Sequence, residues 1–452
     1  MTDVSQWTAE RLGAAYATGE LSPVEATRAA LRAVETYDDL CAFAYVDHEG
    51  ALKQAAASEQ RWVEGRALGP FDGVPASIKD LFLTRGMPTL RGSRHTDPKQ
   101  PWDIDSPAAA ALRANGLVLL GKTTTAELGW KGTTDNPVDG VTRNPWDRTL
   151  TAGGSSGGSG VAVRAGMGAV SVATDAAGSA RIPASFCGIV GFKPTHGRIP
   201  MYPPSVLGTL AHAGPMARSV GDVAVLTDIL AAPDHRDPSW TPTVGGAVDL
   251  AGVRVAFSPT LGYVEVDPEI AAIVAATVTD LGLRVEEANP GFPDPSATFD
   301  VLWSVCVAHI VRRSGAADDP GLQALAERGA RHSVAEYLDA QSELAALAVA
   351  MGEFHTRFDV LITPTVPIEP FAVGHDVPPE SGLTDWPQWT PFAYPFNMSR
   401  QPALSVPIGR TARGLPVGIQ IVGPRYADHL VLAVGALVEQ LRPAIRYPQE
   451  SA

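Results

Sequence analysis

Between residues 132 and 200 glycine, serine, threonine and proline crowd together, yet the stretch carries little charge and contains apolar runs such as Val161-Ala162-Val163 and Ile189-Val190-Gly191-Phe192. A flexible linker is polar throughout, and a disordered segment lacks the apolar surface needed to offset chain ordering. This stretch fits neither description. It reads as packed backbone in which small residues permit unusual conformations or close approach, the composition of a site built largely on main chain.

The flanks read as scaffold. Residues 1–65 look helical, because Ser22-Pro23-Val24-Glu25 offers an N-cap, a first-turn proline and a capping-box glutamate ahead of an Ala/Leu/Val-rich stretch. The pattern recurs at Ser106-Pro107, whose Ala-rich helix ends near Asn115-Gly116 before the apolar run Leu117-Val118-Leu119-Leu120, a buried strand by composition. Further strands are expected at 253–257, 283–285, 360–362, 403–406 and 418–422, with helices over 267–283, most of 295–358 and 427–442. Helix alternates with strand and no segment has linker composition, so the chain reads as one α/β domain.

Several functional classes are disfavoured. A formal net charge of -14, with no Lys/Arg run, argues against a nucleic-acid partner, which requires clustered cations to displace counterions. No apolar run approaches the roughly 20 residues of a membrane span, and Met1-Thr2-Asp3-Val4-Ser5 does not open a secretory signal. Cys41, Cys187 and Cys306 are far apart and lack metal-ligand spacing. They read as buried thiols in a reducing compartment, the cytoplasm.

Two conspicuous motifs mislead. Gly116-Leu117-Val118-Leu119-Leu120-Gly121-Lys122-Thr123 matches the P-loop pattern, but a helix precedes it and four large aliphatics fill an interval that should expose backbone amides. Gly153-Gly154-Ser155-Ser156-Gly157 matches the G-x-S-x-G elbow, yet residues 144–151 are turn-rich and hold Pro145, so no strand leads in. An ordinary Ser-His-Asp triad would have to recruit His332 or His429 from far along the chain.

Quieter features carry more. Only six lysines occur, at 53, 79, 99, 122, 131 and 193, among 35 Lys and Arg residues. Arginine stays charged and cannot act as a base, so a retained lysine marks a place for a titratable amine. Lys79 lies in the apolar segment Phe71-Asp72-Gly73-Val74-Pro75-Ala76-Ser77-Ile78-Lys79-Asp80, where desolvation would lower its pKa. Alone, the commoner reading is a surface lysine paired with Asp80. In Thr174-Asp175-Ala176-Ala177-Gly178-Ser179-Ala180-Arg181, small residues before Ser179 let successive N–H groups converge near its hydroxyl, as an oxyanion hole requires. Alone, a Gly/Ser turn is the simpler reading.

Taken in order, these segments resemble the amidase signature family: a Gly-x-Pro-x-x-x-Lys-Asp element ending at Asp80, the Gly/Ser motif from Gly153 to Gly158, and Ser179 lying 24 positions after Ser155. Similarity extends through Thr133-Thr134-Asp135-Asn136-Pro137, residues 186–195 and 214–218, with a weaker echo at 414–423. The resemblance implies a single mixed β-sheet flanked by helices on both faces, spanning 1–452, with a catalytic core at 71–220 and a variable pocket region at 295–400. It implies Ser179 as nucleophile, Ser155 as a bridging serine after a cis peptide bond, Lys79 as base, and no metal or organic cofactor. Amides of Ala176, Ala177, Gly178 and Ser179 would hold the oxyanion. Thr174 would hydrogen-bond the bridging serine, Asp175 would pair with Arg181, and Ser156 would satisfy backbone.

A neutral lysine base predicts activity rising from neutral into alkaline pH. Two departures from the family pattern stand out: Ala177-Gly178 replaces the frequent Gly-Gly, and Ala180 replaces a larger aliphatic and would leave extra room nearby. Residues 386–396, rich in Trp, Pro and Phe, together with Phe299 and Trp303 fit either an apolar entrance or ordinary loop and core aromatics, and on the first reading Gly132, Thr133, Trp389 and Phe392 are the substrate-binding candidates. The expected substrate is a small-molecule hydrophobic amide, anilide, ester or aryl carbamate, and the expected state is monomer or homodimer. Rival readings are the glutamine-hydrolysing component of a tRNA-dependent amidotransferase and a catalytically silent binding protein.

Overall fold

A computed structural model of the chain describes residues 4–242, 246 and 248–442. Its strands are β1 (Phe43–Val46), β2 (Pro75–Lys79), β3 (Val118–Thr123), β4 (Asp135–Asn136), β5 (Gly140–Val141), β6 (Val170–Asp175), β7 (Val190–Lys193), β8 (His212–Ala217), β9 (Arg254–Phe257), β10 (Arg284–Glu287), β11 (Val360–Pro364), β12 (Ala403–Arg410) and β13 (Pro416–Val422). Eleven form one continuous sheet in the order β1-β3-β2-β6-β8-β7-β12-β13-β11-β9-β10, while β4 and β5 pair separately.

The sheet is mixed. Parallel pairing joins β2 to β3 and β6, and β9 to β10 and β11; antiparallel pairing joins β6 to β8, β7 to β12 and β12 to β13. Side chains alternate between faces along a strand. Accordingly Val360 and Ile362 pack into one hydrophobic cluster with helices Val220–Leu230 and Asp428–Leu441, while Leu361 packs into another with Ser296–Ser314 and Val334–Arg357. Helices therefore cover both faces, as the resemblance implied.

The two helix starts expected from capping residues are present. Ser22 and Glu25 exchange the reciprocal bonds of a capping box, and Ser106 Oγ accepts from the Ala109 amide at 3.3 Å. The helical reading of 1–65 needs one correction. Phe43–Val46 is a short, half-buried strand on the sheet edge, antiparallel to β3, and four residues are too few to show a period. No helix among the described residues is long and apolar enough to cross a membrane. Cys187 and Cys306 are buried and free, but Cys41 is only half-buried.

The decoys resolve by topology. Val118–Thr123 is β3, preceded by the helix Pro107–Ala114, so the P-loop-like string is a fully buried strand one place in from the sheet edge. Parallel pairing of β2 with β6 puts their carboxyl ends side by side, delivering Lys79 and Thr174-Asp175 to one edge of the sheet. Ligands of open α/β sheets gather at such ends.

Candidate active site

At that edge the three polar residues singled out from sequence meet. Lys79 Nζ donates to Ser155 Oγ at 2.8 Å and to Thr174 Oγ1 at 2.8 Å, and Ser155 Oγ donates to Ser179 Oγ at 3.1 Å. Lys79 is fully buried; Ser155 and Ser179 are also buried, with Ser179 on the wall of a cavity. Asp80, the partner Lys79 would have had at the surface, turns instead to Lys122, 3.4 Å away.

Ser155 follows a cis Gly154–Ser155 peptide bond, just before the buried helix Gly157–Arg164. Residue 154 has to be glycine, because a Cβ there would lie 2.2 Å from the Thr133 carbonyl oxygen. Ser156 donates to the Thr174 carbonyl at 3.2 Å, the backbone-satisfying part expected of it. Thr174 differs from expectation: its hydroxyl accepts from Lys79 rather than bonding Ser155. Its position at the end of β6, beside the end of β2, sets that choice.

The turn that carries Ser179 hangs on a buried ion pair. Arg181 Nε and Nη2 donate to the two oxygens of Asp175, each at 2.9 Å, and the remaining guanidinium N–H groups reach Ala393 O, Gln420 Oε1 and Asn397 Oδ1. All five guanidinium donors are used, so no uncompensated buried charge remains. Burial alone would raise the Asp175 carboxyl; the Arg181 charge and hydrogen bonds, aided by Lys193 and Asn397, hold it well below the usual carboxylate range. Burial pushes the Lys79 amine well below its ordinary value, and the Asp175 charge opposes this only in part.

Of the four amides expected to form an oxyanion hole, that of Gly178 is engaged: it donates to Asp175 Oδ1 at 2.8 Å. The amides of Ala176, Ala177 and Ser179 have no protein acceptor among the described residues. Gly178 carries the positive φ of the turn, at 107°, so Ala176 and Ala177 need none. Ala180 adds no room to the cavity. Its Cβ is fully buried, and a Cβ on Gly214 of β8 would lie 2.7 Å from it.

The cavity, about 500 Å³, opens at Ser155, Thr174, Ala176 and Ser179. Its walls come from Leu81 and Phe82, from Leu128 and Gly129, from the loop Met201–Leu207 with its cis Tyr202–Pro203 bond, and from the end of the helix Ser296–Ser314. None of the four substrate-binding candidates lines it. Trp389 is buried, stacked on Phe186 at 6.0 Å with its indole nitrogen donating to Asp376 O. Gly132 lies beneath that indole, Thr133 Oγ1 donates to Asp135, and Phe392 is fully buried. Phe299 and Trp303 likewise stack within the core.

The aromatic segment acts from behind. Large rings bury readily, and here they fix the backbone whose Phe392 and Ala393 carbonyls receive Gln420 and Arg181. Asn397 and Gln420, which complete the Arg181 network, were not singled out from sequence. Gln420 had left a signal: an amide side chain between Ile419 and Ile421 in an apolar strand has to find buried partners.

A family model described as Amidase matches residues 25–432. The chain is similar to an acylamidase of Rhodococcus erythropolis, 34% identical and covering 98% of this chain and 97% of the relative. It is also similar to a glutamyl-tRNA(Gln) amidotransferase component of Acidothermus cellulolyticus, 36% identical over 97% of this chain and 95% of the relative. Among solved structures, 6-aminohexanoate cyclic dimer hydrolase complexed with substrate superimposes with a TM-score of 0.88 at 31% identity, covering 99% of this chain and 100% of that one. A bacterial aryl acylamidase of the amidase signature family gives 0.89 at 28% identity, covering 98% of each chain.

Proposed function

Starting from a chain that belongs to the amidase signature family, and so to the hydrolases of amide C–N bonds, we propose that Ser179 is its nucleophile, Ser155 its proton bridge and Lys79 its base. The observation that carries this reading is the unbroken run of short contacts from buried Lys79 through Ser155 to Ser179 at the cavity wall. Neutral Lys79 draws a proton through Ser155 as Ser179 Oγ attacks the carbonyl carbon. The resulting oxyanion faces the uncommitted amides of Ala176, Ala177 and Ser179. The proton then passes back through Ser155 to the departing nitrogen, the C–N bond breaks, and an acyl ester remains on Ser179. Water, deprotonated by the same relay, adds to that ester, and collapse releases the acid and restores the Ser179 hydroxyl.

Thr174 holds the Lys79 amine toward Ser155, and the Asp175–Arg181 pair holds the turn. The apolar walls favour a substrate with a hydrophobic acyl or leaving group: an amide, anilide, ester or aryl carbamate turned over by this chain without partner chains. Incubation with a fluorophosphonate followed by peptide mass mapping tests the assignment. The adduct is expected on Ser179, with anilide turnover by the purified chain and loss of both in Ser179→Ala. An adduct on Ser155 or Ser156 would overturn the nucleophile assignment. Absence of labelling would favour a silent binding protein. Turnover of glutamine alone, dependent on partner chains, would favour an amidotransferase component.

A further inference from the structure

One part of the cavity wall is not accounted for by the relay. Arg91 and Leu128 both line the cavity, and both hold left-handed backbone at φ 60° and 54°. Non-glycine residues pay a conformational cost there and persist only where their surroundings enforce it, commonly at binding sites. The enforcement is explicit: the Leu128 amide donates to Arg91 O at 2.8 Å, and the Arg91 amide donates to Asp80 Oδ2 at 2.7 Å. Asp80 is itself anchored by Lys122 at 3.4 Å.

The strained clamp presents Arg91, a half-buried residue whose guanidinium has no carboxylate partner among the described residues. In a chain of net charge -14, no Asp or Glu among the described residues lines this cavity. A second arginine, Arg313, stands exposed at the mouth, also without an acidic partner among the described residues. Elsewhere in the cavity the wall, among the described residues, is apolar apart from the relay hydroxyls, Ser205, Ser314, the phenol of Tyr202 and the imidazoles of His212 and His309. Burial and Lys193 keep His212 well below its ordinary pKa, so it adds little positive charge.

Resting on the amidase reading of the site, we infer that the preferred substrate is an amide carrying a carboxylate at one end, and that Arg91 is the specificity-determining residue that receives it. A guanidinium binds a carboxylate through charge-assisted, often bidentate hydrogen bonds, which are the stronger class and gain from a half-buried setting. Arg313 draws the anion toward the mouth and matters less, because exposed charges are screened.

Matched pairs of substrates test this. Glutaranilate against pentananilide places the carboxylate on the acyl side; 4-acetamidobenzoate against 4-acetamidotoluene places it on the amine side. The wild-type chain is expected to favour the carboxylate member of at least one pair by roughly 10- to 100-fold in kcat/KM, the scale of a hydrogen bond to a charged group. Most of that preference should appear in KM. Arg91→Met should erase it while leaving the neutral anilide within about threefold, Arg91→Lys should keep part of it, and Arg313→Met should lower it about two- to threefold. Turnover of the neutral members with no carboxylate preference in either pair would overturn this inference alone, as would a preference that survives in Arg91→Met. If wild type turns over none of the four, the amidase reading itself fails and the inference with it.

Discussion

Lys79 and Lys122 sit near the carboxyl ends of adjacent parallel strands, β2 and β3, and both are fully buried, yet their surroundings assign them different work. Lys122 has a carboxylate, Asp80, at 3.4 Å and donates to Phe82 O and Thr89 Oγ1. Burial lowers its pKa to about 8, with Asp80 pulling the other way. Among the described residues the Lys79 amine donates only to the hydroxyls of Ser155 and Thr174, and burial lowers it well below its ordinary value. A buried amine with a carboxylate neighbour is held as a structural cation; one whose neighbours are hydroxyls is suited to the base role proposed for Lys79.

The largest contrast should come from deleting the two amines. Lys79→Met is expected to lower kcat/KM by roughly 10²- to 10⁴-fold, the usual worth of a general base, and Lys79→Arg should fail similarly because guanidinium does not deprotonate. Circular dichroism should still report a folded chain for Lys79→Met. Lys122→Met leaves Asp80 buried without its cation and should cost about 3–5 kcal/mol in denaturant unfolding, with turnover of a neutral anilide, which does not call on Arg91, far less affected per folded molecule than in Lys79→Met. A catalytic collapse in Lys122→Met at unchanged stability would erase the distinction between the two sites. Thr174→Val sharpens it at smaller scale. Removing one acceptor of the Lys79 amine should lower kcat about tenfold with KM nearly constant, as expected for a positioning hydroxyl worth one hydrogen bond.

The edge that holds the proposed relay was legible from sequence only jointly. Lys79, Ser155 and Ser179 each had a bland local explanation, and it was their order and spacing that brought them together; β2 and β6, lying parallel, turn that order into contact. The Asp175–Arg181 pair was also readable, being six residues apart on one turn. The cavity was not. Its walls come from Leu81, Arg91, Leu128, the loop Met201–Leu207 and a helix end at His309–Ser314, segments with no shared period or composition that are joined only by tertiary packing.

The aromatic run at 386–396 misled for a definite reason. Rings and prolines suit both a binding rim and a buried prop, and composition does not separate the two. What places this run in the core is its job of presenting main-chain carbonyls to Gln420 and Arg181. Arg91 gave no signal in sequence, since its meaning lies in a backbone angle and a missing partner.

The distinction between the two lysines is tested most directly by the pH dependence of kcat/KM on a slow anilide for which chemistry limits the rate. Lys79 must be neutral to accept a proton, and its pKa lies well below 10.5. The expected profile between about pH 5 and 10 therefore rises through one ionisation and levels, and Lys79→Arg lacks that ionisation. A wild-type profile that is flat throughout, or that falls as pH rises, would contradict Lys79 as the base.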